Sequence, residues 1–153
     1  MDMLIKLYEL APAQAALGTG EIVCRKPIAP EYDVIVDWVA GRFTAGWASE
    51  VRVALANRPV TLFIAIRSDA LLGFCCYDAT ACGFVGPIGV AESGRGSGVG
   101  AALLLACLHD MRTMGYAYAV AGAVGAPEFF RRVAGATEIE GSTRGIYRGI
   151  LTP

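Results

Sequence analysis

Residues 90–100 read VAESGRGSGVG, four glycines in eleven positions between an apolar run ending at Val90 and a leucine-rich run beyond Gly100. A strand that leaves through such a segment and enters a helix makes an anion site. Glycine keeps Cβ atoms away from an approaching phosphate, and the first helical turn supplies unpaired N–H groups and the positive end of the helix dipole. Hydrogen bonds to a charged partner contribute about 1.5–3 kcal/mol each, so three or four such amides would hold a pyrophosphate firmly. Arg95 adds a fixed positive charge beside them.

The flanking periodicities give the segment its setting. On the C-terminal side, Ala101, Leu104, Leu105, Leu108 and Met111 form one stripe of a helix over residues 98–114, with Gly115 placed to end it. Residues 116–124 then read as a strand. On the N-terminal side, residues 60–67, 71–77 and 84–90 read as three strands joined by turns at Ser68–Asp69 and within residues 78–83, an antiparallel meander. Strand, helix and strand in that order predict a crossover that sets strand 84–90 parallel to strand 116–124. Two helices precede the meander. The first covers residues 31–43, with Tyr32, Ile35, Val36, Val39 and Phe43 on one face. The second is capped by Thr44 and runs to Asn57, Arg58 and Pro59. Residues 3–10 are compatible with a first strand, and residues 11–20 with a loop or helix. Pro127 opens a last helix over residues 128–134, and strands at residues 137–139 and 145–150 turn around Gly141 and Ser142. The layout is α+β, one domain over residues 1–153, with a mixed, mostly antiparallel sheet, a central parallel strand-helix-strand crossover and flanking helices.

Several phosphate-binding motifs compete for the glycine segment. GxxxxGK[ST] is absent because no lysine follows the glycines, which excludes a P-loop nucleotide triphosphatase. Gly96, Gly98 and Ala101 satisfy GxGxxA. That fingerprint expects an acidic residue about 20 positions on, yet residues 114–127 contain no Asp or Glu, and it belongs to the first strand of a parallel sheet. A dinucleotide-dependent dehydrogenase therefore survives only as a control reading. A tight turn alone would also select glycine.

Composition narrows the classes further. Of the 153 residues 55% are hydrophobic and 18% charged, which excludes a disordered chain. No apolar stretch approaches the roughly 20 residues of a spanning helix, so no membrane segment is expected. The formal net charge of −1, with only Lys6 and Lys26 among 13 basic residues, offers no footprint for nucleic acid. The start, MDMLIKLYEL, carries Asp2 and Glu9 and has no leader pattern. Cys24, Cys75, Cys76, Cys82 and Cys107 show no metal spacing, so no metal site is expected; buried, reduced thiols in a cytoplasmic protein are. The excess of apolar residues points to a homodimer.

Arg95, Gly98 and Gly100 match the (Q/R)xxGx(G/A) signature of the GNAT superfamily of acyl-CoA N-acyltransferases, between an apolar strand and a leucine-rich helix as in that family. Residues 128–136, EFFRRVAGA, resemble its late segment, and the element order from Glu31 onward fits, so that about 120 residues are covered. The resemblance implies acetyl-CoA as co-substrate and an amine, of a small molecule or a peptide, as acceptor. It implies that the parallel strands splay, that the pantetheine arm pairs with the main chain of Ile88, Gly89 and Val90, and that the pyrophosphate sits on the amides of Arg95, Gly96, Ser97, Gly98, Val99, Gly100 and Ala101. The Val90 N–H would then donate to the developing oxyanion.

Two positions depart from the family pattern. Phe130 stands where the family's general acid is a tyrosine, and phenylalanine has no proton to give. Tyr116, Tyr118 and Tyr147 are the tyrosines that would have to reach across, each also readable as a core or sheet aromatic. Strand 84–90 contains no carboxylate base, which leaves Glu128, Glu50, Asp78 and Glu92 to order a water. The sole histidine, His109, fits a solvent-facing position; Trp38 and Trp47 read as core anchors before acceptor-pocket walls; Arg131 and Arg132 fit either CoA phosphates or a solvated helix face. The departures also motivate an alternative function, a non-catalytic or weakly catalytic acyl-CoA-binding sensor.

Overall fold

The computed structural model describes residues 1–13 and 21–153. The expectation for residues 11–20 therefore falls largely outside the described residues. Seven strands form one sheet: β1 (Met3–Lys6), β2 (Ile22–Arg25), β3 (Leu62–Arg67), β4 (Ala70–Tyr77), β5 (Phe84–Val90), β6 (Tyr118–Ala121) and β7 (Thr137–Glu138). Their spatial order is β2-β3-β4-β5-β6-β1-β7. Only β5 and β6 are parallel; every other neighbouring pair is antiparallel.

The expected meander is present, and Ser68 and Asp69 turn β3 into β4 with φ of 49° and 65°. Two central residues at positive φ define the type I′ turn, whose twist matches that of the strands it joins. Helices α1 (Tyr32–Arg42) and α2 (Ala45–Ala56) cover one face of the sheet. Thr44 caps α2, its hydroxyl accepting from the Trp47 N–H at 3.0 Å. Ile35, Val39, Val51, Leu55, Leu62 and Phe74 make the core on this side. Helix α3 (Val99–Thr113) crosses the opposite face, where Leu103, Leu104, Leu108 and Met111 are buried against β3, β4 and β5, and α4 (Pro127–Ala134) lies beside it.

Some local expectations need correction. Strand β1 ends at Lys6, and Leu7–Glu9 forms a 3-10 turn. Strand β2 was not expected; its four residues pair with β3 from Ile22–Arg67 to Arg25–Ile64. Residues 145–150 are no strand: Gly145–Tyr147 is a 3-10 turn, because Arg144, Gly145 and Gly149 take φ of 69°, 41° and 77°. The partner that β7 lacks in that segment is supplied by β1. Cys82 is exposed, whereas Cys75, Cys76 and Cys107 are buried as expected and Cys24 is half-buried.

No helix among the described residues is long and apolar enough to cross a membrane. Nor do those residues contain a cluster of three or more side chains able to hold a metal.

Candidate functional site

The site arises where β5 and β6 part. They pair at Phe84–Val120 and Val85–Ala121 and no further. Beyond Val85 the β4–β5 register shifts: Tyr77 faces Val85 but Cys75 faces Ile88, so β5 carries an extra residue at Gly86–Pro87. Gly86 adopts φ of 120°, and Pro87 has no N–H for a ladder, the pair of features that makes a bulge. From there β5 follows β4 while β6 ends, and a gap opens between them.

Backbone alternation fixes what faces the gap. The Ala91 N–H donates to Leu72 O of β4 at 2.7 Å. Successive residues of a strand point their N–H groups to opposite sides, so the N–H and C=O of Ile88 and Val90 face away from β4, into the gap. Arg95 Nε donates to Val90 O at 3.3 Å, which sets its guanidinium at the mouth of the gap. Gly89 has a different duty. A Cβ there would stand 2.7 Å from Phe43 Cζ and 2.8 Å from Phe74 Cε1, so its lack of a side chain admits the aromatic cluster under α1 and α2.

The N terminus of α3 closes the same end. Gly96 and Gly98 turn the chain with φ of 79° and 81°, Ser97 Oγ donates to Gly94 O at 2.7 Å, and Gly98 offers no side chain to cap the helix. Its first intrahelical bond runs from Ala102 N to Gly98 O, leaving the N–H groups of Val99, Gly100 and Ala101 without helical partners. A Cβ at Gly100 would meet Phe129 and Val90 only at ordinary contact distance, 3.5 and 3.7 Å, so protein packing does not dictate a glycine there.

The gap deepens into a cavity of about 1030 Å³. Trp47 and Glu50 of α2, Thr80, Phe84, Phe130 and Tyr147 line it alongside the open edge of β5. Glu50 Oε1 accepts from the Thr80 hydroxyl. Burial pushes the Tyr147 phenol above its ordinary value of 10.0, Thr80 opposing the shift and the charges of Glu50 and Asp2 adding to it. Trp47 serves both expected roles, since it stacks on Phe43 with ring centroids 5.0 Å apart and walls the cavity; Trp38 packs on Phe43 and Phe74 and stays outside it.

The remaining sequence candidates lie elsewhere. Glu128 is exposed and paired with Arg131, which Glu138 also holds at 2.8 Å; Arg132 is exposed on the same helix. Glu92 is exposed. Tyr116 donates to Asp78 Oδ2 at 2.6 Å, and that carboxylate also accepts from Gly83 N. Tyr118 meets Tyr8 at the surface. His109, expected to face solvent, is half-buried, its Nε2 lying 2.7 Å from Ala11 O.

Two contributors escaped the sequence reading. Thr80 carried no motif. Asp2 is buried; its Oδ1 accepts from Ala123 N at 2.9 Å, its N–H donates to Ser142 Oγ at 2.8 Å, and its carbonyl accepts from Ile139 N at 2.9 Å. It thereby ties the cavity wall at residues 122–126 to the segment that delivers Tyr147, and it holds Ala123 at φ of 47°.

The comparisons agree with this geometry. The model of the Acetyltransferase (GNAT) family matches residues 32–135. Among solved structures, a GCN5-related N-acetyltransferase from Sphaerobacter thermophilus superposes with a TM-score of 0.65 at 22% identity, covering 89% of this chain and 47% of that one. One from Kribbella flavida gives 0.59 at 15%, covering 89% and 52%. A GCN5-related glucosamine N-acetyltransferase region of a fungal multi-domain GH3 beta-N-acetylglucosaminidase gives 0.66 at 13%, covering 87% and 19%. The chain thus spans about half or less of these proteins, and at such identities the likeness is one of fold. No curated protein matches the sequence. With two thirds of its length matched by the family model, and with the splayed strands and uncapped helix in place, the chain belongs to the acetyltransferase (GNAT) family.

Proposed function

We propose that the protein is an acetyl-CoA-dependent N-acetyltransferase that acts on an amine and works in the cytoplasm. The observation that carries this reading is the open edge of β5 between the α3 N terminus and an apolar cavity. Acetyl-CoA would supply an activated thioester. The residues present suit it: the Arg95 guanidinium and the amides of residues 96–101 receive the pyrophosphate, the Arg95 N–H itself being taken by Glu92 O at 3.2 Å, and the gap-facing main chain of Ile88 and Val90 pairs with the pantetheine amides as an added strand would. The Val90 N–H stabilises charge developing on the thioester oxygen.

At the deep end Glu50 takes the proton that the attacking amine loses. Tyr147, kept protonated by its raised pKa, gives one to the departing thiolate, so the N–C bond forms and the S–C bond breaks without a change in redox state. Phe130 packs against Phe129 at 5.2 Å and shapes the apolar wall. The free cysteines suit a reducing compartment.

Acetyl-CoA at 100 times its Kd should stabilise the fold by about 2.7 kcal/mol in a thermal-shift assay, whereas NADH should not. Stabilisation by NADH alone would sink the reading. The sensor alternative, favoured by Phe130, predicts the same shift but no thiol release when acetyl-CoA and mixed amines are present.

A further inference from the structure

Charge in the cavity is confined to its two ends. Among its described lining residues the ionisable side chains are Arg95 at the mouth and Glu50 and Tyr147 at the deep end, with Phe84, Ile88 and Phe129 among the apolar groups between them. Arg95 lies beside the helix N terminus, where the donor's phosphates would take it. The deep end holds no cation. Glu50 accepts one hydrogen bond, from Thr80, and has no ion pair among the described residues. A half-buried carboxylate in an apolar cavity is unfavourable without a positive partner. Trp47, three residues earlier on the same helix, sets an aromatic surface next to it, and residues at that spacing share a helix face. A carboxylate beside an indole suits an ammonium group on an apolar stem.

We propose that the acceptor is a primary amine on an apolar body, with no carboxylate or phosphate near the nitrogen. Its ammonium pairs with Glu50 and its stem packs on Trp47, Phe84 and Ile150. This inference rests on the acyltransferase reading. A carboxylate beside the amine would be brought to about 5 Å from Glu50, and at an effective dielectric near 20 that repulsion corresponds to about 300-fold in affinity. A polyamine would strand its further charges against apolar walls.

The test is calorimetric titration of the protein saturated with CoA, so that binding is read without turnover. The probes are 2-phenylethylamine, phenylalanine, phenylalanine amide and spermidine. 2-Phenylethylamine should bind at least tenfold more tightly than phenylalanine or spermidine, and the amide should recover most of that difference. Glu50→Gln, which keeps an acceptor for Thr80, should weaken 2-phenylethylamine at least tenfold and leave the CoA Kd within twofold. Equal affinity for phenylalanine, unchanged amine binding in Glu50→Gln, or no amine binding to the CoA-saturated protein would each overturn the inference. A wild-type protein that binds no CoA fails the transferase reading itself.

Discussion

In the proposed mechanism Tyr147 would give the proton that Phe130, at the late-helix position, has no hydroxyl to supply. Three tyrosines were open as substitutes in the sequence, and nothing in their spacing separates them. The fold does: Tyr116 is committed to Asp78, Tyr118 meets Tyr8 at the surface, and only Tyr147 reaches the cavity with Glu50 and Thr80. Tyr147→Phe should therefore lower kcat by about 10²–10⁴-fold, the usual worth of a general acid, while the KM for acetyl-CoA stays within about threefold. The sign of the pH effect follows from burial. A phenol whose pKa is raised above 10.0 stays protonated through neutral and mildly alkaline pH, so wild-type activity should fall only at strongly alkaline pH, and the variant should lack that limb. Adding Phe130→Tyr to Tyr147→Phe should restore turnover if the late-helix position can still donate. Steady-state kinetics on the three proteins decide it: an unchanged kcat in Tyr147→Phe removes Tyr147 from the chemistry.

At the scale of elements, the parts with strong local signals were legible and those set by distant partners were not. The I′ turn at Ser68–Asp69, the Thr44 cap and the stripe of α3 are each encoded within a few residues, and each appears where expected. The bulge at Gly86–Pro87 also had a local mark, a glycine and a proline inside a strand, and it is what splays β5 from β6. By contrast, β1 pairs with residues 118–121 and with residues 137–138, more than a hundred positions away, and β2 is four residues long. No window of neighbouring residues records such pairings. The same distance hides Asp2, whose partners are Ala123, Ile139 and Ser142. Its loss should be felt in both stability and site geometry. Asp2→Ala removes the carboxylate that accepts from the Ala123 N–H and should cost about 1.5–3 kcal/mol in urea unfolding, the usual worth of a hydrogen bond to a charged group, whereas Asp2→Asn, which keeps an acceptor, should cost less. Gly145→Ala should approach the alanine result from the other side, since its Cβ would stand 2.5 Å from Asp2 Oδ2 at a φ of 41°. Equal stability of Asp2→Ala and wild type would show that the side-chain bond to Ala123 is dispensable.

For the whole molecule, the sheet divides the apolar excess into two cores, one under α1 and α2 and one under α3 and α4, and the cavity opens between strands that belong to both. The charged ends of the cavity thereby rest on opposite layers: Arg95 comes from the loop before α3, Glu50 from α2. Burial does not consume all of the apolar surface. Ile28, Val34, Ile146, Ile150 and Leu151 are each more than half exposed, and Val23 is exposed on the edge strand β2. Large aliphatic side chains in water forfeit about 25 cal/mol for every Å² left uncovered, so their accumulation on a small chain favours association. We therefore expect a homodimer at micromolar concentration. Light scattering coupled to size exclusion should give a mass near twice 16.0 kDa, and dilution should shift it toward the monomer with a concentration-dependent melting temperature. A single monomeric mass across that range would refute the expectation and would assign the exposed aliphatics at Ile146, Ile150 and Leu151 to the free surface of the segment that carries Tyr147.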